Sequence, residues 1–189
     1  MSSFDGSERC RFFRKILLVG GRSTIAFAFT FALSFTAASD DGLIAGKVVG
    51  VTDGDTVTII DADSVQRRVR LAGIDAPESE QPFGYASYVH LFNLAHEQFV
   101  TATCPKVDRY RRDVCTVWVH GQDINLAQLK AGLAWHFKRY AHEQPDDERE
   151  AYAAAEDAAR AARVGLWQED APVAPWVWRD AKRTRALNP

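Results

Sequence analysis

Three clusters in this chain gather residue types that can do chemistry. They are Asp53-Gly54-Asp55-Thr56, the run RLAGIDAPE from Arg70 to Glu78, and Asp108-Arg109-Tyr110-Arg111-Arg112. The second is the most telling. It sets an arginine at a strand end and two carboxylates, Asp75 and Glu78, three residues apart on a loop stiffened by Pro77. Carboxylates so close repel unless a cation or separate roles relieve them. The bland account is a solvated acidic loop. Read alone, Asp53-Gly54 is an ordinary hairpin signal with a cap beside it.

The elements that must position these clusters follow from periodicity. AGKVVGVT, DTVTII and QRRVRLA are rich in Val, Ile and Thr and read as a three-stranded meander, punctuated at Asp53-Gly54 and at 61–64. Residues 73–82 hold two prolines and several acids and read as loop. Helical spacing of Tyr88, Leu91, Phe92, Ala95 and Phe99 predicts a helix over 83–99. A strand pair, 100–104 and 114–119, flanks the charged stretch 105–113. A short helix at 125–131 ends at Gly132, and 145–163 is a helix opened by Pro145 with Asp146, Asp147 and Glu148 in its first turn. Five short strands plus helices, sheet-forming part first, point to a small closed barrel with packed helices.

At 189 residues the chain suits one ordinary domain. A formal net charge of -2 argues against a binder of nucleic acid that works through bulk basicity, though not against an enzyme whose positive charge sits at one site. Residues 1–39 read differently from the rest. Arg9, Arg11, Arg14 and Lys15 precede a 14-residue apolar stretch, 25–38, that ends in small residues. That order predicts a cleaved secretory signal, with an anchor over residues 16–38 as the alternative. A linker at 40–44, a domain at 45–180 and a tail at 181–189 complete the division. Without 1–39 the net charge is -5 and two cysteines are left, Cys104 and Cys115. In an oxidising compartment they make a candidate disulfide; two cysteines alone make a poor zinc site.

Taken together, VVGVTDGDTV, VRLAGIDAPES, DRYRRDV and INLAQLKAGLAW resemble the staphylococcal nuclease (thermonuclease) family over about residues 45–180. The closing GLWQEDAPVAPWVWR is similar to the tail of bacterial members. The resemblance implies an α+β fold with a mainly β core, a five-stranded OB-type barrel with three packed helices. It also implies Ca²⁺-dependent hydrolysis of DNA and/or RNA phosphodiesters that leaves 3′-phosphates. Asp55, Asp75 and the Ala76 carbonyl match the family's metal ligands, and Asp53 stands behind them. Glu78 matches the proposed general base, and Arg70 and Arg112 match the arginines that grip the phosphate. Arg109, Tyr110 and Tyr140 match groups that contact the neighbouring nucleotide.

Three positions depart from the family pattern. Ala76 stands in place of Thr, Arg111 in place of a Gly whose freedom suits a tight turn, and Lys138 in place of a nucleotide-stacking Tyr. His90, His96, His120, His136 and His142 lack metal-type spacing and read as surface or packing residues. The expectation is a secreted or periplasmic monomeric nuclease with a nucleic-acid substrate and no protein partner. The alternative is an OB-fold module that binds nucleic acid without cutting it.

Overall fold

The computed structural model describes residues 42–187. Strands β1 (Leu43–Asp53), β2 (Thr56–Asp61) and β3 (Gln66–Leu71) form the antiparallel meander. After the two-residue β4 (Ile74–Asp75) and helix α1 (Gly84–Ala95), β5 (Phe99–Val107) pairs with the first half of β1, and β6 (Asp113–Val119) pairs with β5. The barrel closes where β3 meets β6 in parallel, through Val69–Asp113, Arg70–Val114 and Leu71–Cys115. Two register shifts along β1 lie between Val48 and Gly50 and between Val51 and Asp53. Such bulges bend a strand, and here they curl β1 enough for both its edges to be used.

Val48, Val57, Ile59, Val69, Val100, Ala102 and Val117 fill the barrel, each at most 4% exposed. Helix α1 lays Gly84, Ser87, Leu91 and Ala95 on one end of it. Tyr88 and Phe92 lie on the outer flank, in contact with each other at 5.9 Å, so the aromatic stripe seen in the sequence is only partly core. The helix also stops earlier than its spacing predicts. His96 takes extended backbone, Glu97 has φ 63°, and Phe99 opens β5 with its side chain outward.

After β7 (Gln122–Asp123), helix α2 (Ile124–Lys130) is capped by the Asp123 side chain accepting from the Leu126 N–H. β8 (Trp135–His136) pairs with β4. Helix α3 (Asp146–Ala161) buries Tyr152, whose hydroxyl donates to Asp123 at 2.9 Å. A fourth helix, α4 (Pro175–Leu187), then runs through what the sequence divided into domain end and tail. Among the described residues the barrel thus carries four α-helices, one beyond the three that the resemblance implies. β1 starts at Leu43, inside the expected linker. The expected signal or anchor, 1–39, lies outside the described residues.

Cys104 and Cys115 are joined by a disulfide across β5 and β6. Cys115 is fully buried in the barrel core.

Candidate active site

Gly54 explains how the first acidic cluster is brought to the cleft. A Cβ there would sit 1.9 Å from the Ser87 hydroxyl, so only glycine lets the β1–β2 turn press against α1. The following residue, Asp55, is thereby buried at 6% exposure, with Oδ1 accepting from the Thr56 hydroxyl at 3.1 Å. Its Oδ2 accepts from the Ala76 N–H at 2.8 Å, which draws the Ala76 backbone alongside.

Arg70 comes from β3, directly opposite Thr56 in the ladder. Its Nη1 lies 3.0 Å from Asp55 Oδ2 and its Nη2 donates to Asp75 Oδ1 at 2.9 Å. One guanidinium thus spans two aspartates from separate segments. Asp75 is 1% exposed and is fixed by the β4–β8 pairing. Glu78 is more open, and its backbone N–H donates to Gln81 Oε1 at 2.8 Å.

Arg112 comes from a separate element, the loop between β5 and β6. Asp108 holds that loop: its Oδ1 accepts from the N–H groups of Tyr110 and Arg112, and its Oδ2 accepts from Arg112 Nε at 2.8 Å. Burial works against the Asp108 carboxylate, yet these donors hold its pKa below the ordinary value. Arg111 sits at φ 63°, the left-handed region that suits the family's glycine. The turn survives the substitution, because Arg112 still reaches Thr56 with Nη1 at 3.5 Å. Arg109 donates to the Tyr110 hydroxyl at 2.7 Å. Tyr140 lines the same cleft, with its ring against Phe137 and the Lys106 ammonium of β5 over it at 4.8 Å. Lys138 does not stand in for the missing tyrosine: its ammonium is 2.7 Å from the buried Glu156 carboxylate.

One broad cleft of about 2150 Å³ is lined by Asp53, Asp55, Arg70, Asp75, Ala76, Glu78, Arg109, Tyr110, Arg112 and Tyr140. Cys104 and Cys115 do not line it. Among the histidines, His136 is buried with Nε2 2.9 Å from Gln144 Oε1, and His96 stacks on Phe92.

Negative charge is in excess at the floor. Burial first, then the charge of Asp55, pushes the Asp53 carboxyl up to about 6. Burial also raises the pKa of Asp75, against the pull of its arginines. Among the described residues no group of three or more His, Cys, Asp or Glu side chains forms a ready metal cage. The donor chemistry nonetheless fits a hard cation. Asp55 and Asp75 converge on a single guanidinium, offer only oxygen, and carry charge that a divalent ion would relieve.

One residue of the site went unseen in the sequence. Arg179 of α4 donates from Nη2 to Asp75 Oδ2 at 2.7 Å and from Nη1 to Glu78 Oε1 at 2.7 Å and Asp75 Oδ1 at 3.2 Å. Burial opposes its charge, but these carboxylates raise its pKa further above the ordinary arginine value. The available signal was the spacing of Arg179, Lys182 and Arg183, which puts three cations on one helix face. Trp176 seats the helix, packing on Phe137 and Trp135 at ring distances of 5.4 and 5.6 Å.

Comparison with known proteins agrees with this arrangement. Residues 68–169 match the family model described as staphylococcal nuclease homologue. An uncharacterized endonuclease of Haemophilus influenzae is 38% identical over 133 residues, 70% of this chain and 71% of that protein. A protein of Shigella flexneri named micrococcal nuclease is 37% identical over 147 residues, 73% of this chain and 82% of that one. Staphylococcal-like nuclease CAN1 of Arabidopsis thaliana is 38% identical over 116 residues, 61% of this chain, which spans only 34% of the plant protein. With the closed barrel, two aspartates on one arginine and a second arginine on the same cleft, these matches place the chain in the staphylococcal nuclease family.

Proposed function

We propose that the chain is an exported, Ca²⁺-dependent nuclease that acts as a monomer on DNA and/or RNA and leaves 3′-phosphates. The observation that carries this reading is the pairing of Asp55 and Asp75 on Arg70, with Glu78 and Arg112 on the same cleft. A module that only binds a polyanion has no physical need for four carboxylates facing it.

Asp55, Asp75 and the Ala76 carbonyl would hold Ca²⁺, which would supply Lewis-acid polarisation of the phosphate. Arg70 and Arg112 bring permanent charge and forked donors from two elements of the same cleft, suited to phosphoryl oxygens and to the charge that develops on them. Glu78 is open enough to take a proton from a water attacking phosphorus. The P–O5′ bond then breaks, and the departing oxygen takes its proton from solvent. Export of the chain by residues 1–39 is supported by the Cys104–Cys115 disulfide, which persists in oxidising compartments. Among the described residues no helix is long and apolar enough to cross a membrane.

Cleavage of DNA and RNA in Ca²⁺ or in excess chelator, beside calorimetric Ca²⁺ titration, tests the reading. Glu78→Gln should keep Ca²⁺ binding and lose about 10²–10⁴ in turnover. Arg70→Ala and Arg112→Ala should each lose about 10²–10³. Undiminished cleavage in chelator, or by Asp55→Ala, overturns the metal role. No cleavage by the intact chain with any metal leaves the binding module.

A further inference from the structure

Helix α4 lies beyond the residues matched by the family model, yet it reaches the centre of the site. Both oxygens of Asp75 are taken by guanidinium groups. Oδ2 accepts from Arg179, and Oδ1 accepts from Arg70 and Arg179 together. The same Arg179 group holds Glu78. Arg70 has a second hold on Asp55 and belongs to the barrel wall. Arg179 has no such tie to the barrel, and its helix is lightly seated. Pro175 is the one buried residue of α4, and besides Arg179 the helix is held by the Trp176 contacts, by Trp178 beside a small cavity it shares with Pro77, Gln81 and Trp135, and by Lys182 on Glu80 at 2.8 Å.

A calcium ion bonds carboxylate oxygen at about 2.3–2.6 Å. It repels a guanidinium held at hydrogen-bond distance from that same oxygen. The two cations therefore compete for Asp75. We propose that Arg179 is a built-in competitor for the metal seat, and that α4 is a strap which divalent cation releases. The proposal rests on Asp55 and Asp75 being the metal carboxylates, as argued above. With Arg179 in place, Asp75 and Glu78 are neutralised and held together. With metal in place, Arg179 withdraws and Glu78 is freed toward the cleft. Because the coupling is mutual, whatever loosens α4 tightens metal binding, and metal loosens α4.

Calcium titration by calorimetry on the intact chain, without nucleic acid, compares the wild type with Arg179→Ala, Arg179→Lys and Asp55→Ala. Circular dichroism verifies that each variant is folded. The expected result is tighter Ca²⁺ binding by Arg179→Ala, by about five- to a hundredfold, the usual range of such coupling. Arg179→Lys, which cannot span both carboxylates, should fall between. Hydrogen exchange should show the α4 amides of the wild type opening faster when Ca²⁺ is added, and no such change in Arg179→Ala. If the wild type binds Ca²⁺, Asp55→Ala does not, and Arg179→Ala binds no tighter, the strap is wrong and the metal seat stands. If Asp55→Ala binds as well as the wild type, or none of the four binds, the seat is wrong and the strap falls with it.

Discussion

Replacing both cysteines, Cys104→Ala with Cys115→Ala, should lower stability by about 3 kcal/mol. The bridge joins residues 11 apart in sequence, and closing a loop of that length in the unfolded chain is worth about 3 kcal/mol in the chain-entropy account. Two smaller effects act in opposite directions. Cys115 is fully buried, so losing its sulfur leaves a small void that adds up to about 1 kcal/mol. The enclosed segment is itself a hairpin, with Lys106 paired to Val114 and Val107 to Asp113, and residual pairing in the unfolded chain takes some away. Urea denaturation of the oxidised and the double-variant chains measures the difference, and a melting point roughly 6–12 °C lower should accompany it. The denaturant slope should rise as well, because an unbridged chain exposes more surface when unfolded. Turnover well below the melting point should change little, since Asp108 and not the bridge aims Arg112. Equal stability in the two proteins, or a lost activity in a variant that is still folded, would refute the reasoning.

Arg111→Gly should stabilise the fold by about 0.5–1 kcal/mol, the relief of left-handed backbone less the added freedom of the unfolded chain, with turnover unchanged because Arg111 does not line the cleft. Thermal melts beside initial rates check both halves of that statement. Asp53 has its carboxyl pushed from 3.8 up to about 6, so the folded state holds this proton more tightly than the unfolded one. Its contribution favours the fold below about pH 4 and fades as pH rises through 6. In chelator near pH 8, Asp53→Asn should therefore be the more stable protein by about 1–2 kcal/mol, the two-unit shift discounted for partial exposure. Denaturant midpoints near pH 4 and 8 decide it, and a gain that is larger at the lower pH contradicts the sign.

Much of the barrel was legible because its strands carry the period and the β-branched residues that sheets select. The turn at Asp53-Gly54 was legible for the same local reason, and the sequence motifs matched one family in their order. What escaped was set by tertiary contacts. Phe99 sits at helical spacing from Tyr88, but β5 needs it as its first residue, pairing with Lys47 of β1, and the helix ends four residues earlier. The outer flank of α1, with Tyr88, Phe92 and His96 touching in sequence, mimics a core stripe because those rings pack on one another. Helix α4 has a charged surface and a single buried residue, so no apolar period announced it. Arg179 is recognisable only once the fold brings it to Asp75, 104 residues away in sequence.

The parallel seam between β3 and β6 sets a time order for activity. The meander β1–β3 and the hairpin β5–β6 are each made of near neighbours in sequence and can form early, whereas the seam joins residues more than forty apart, as the β1–β5 pairing also does, and both carry a greater entropic delay. Arg70 lies on one lip of that seam, and Arg112 immediately precedes the first residue of the other. Arg70 and Arg112 are therefore brought together only after this seam closes. A nascent chain with both hairpins formed already holds Arg70 and Arg112 but has not yet brought them together. Local opening of the same three residue pairs would switch a folded enzyme off before its helices or hairpins are lost, so heat inactivation would run ahead of heat unfolding.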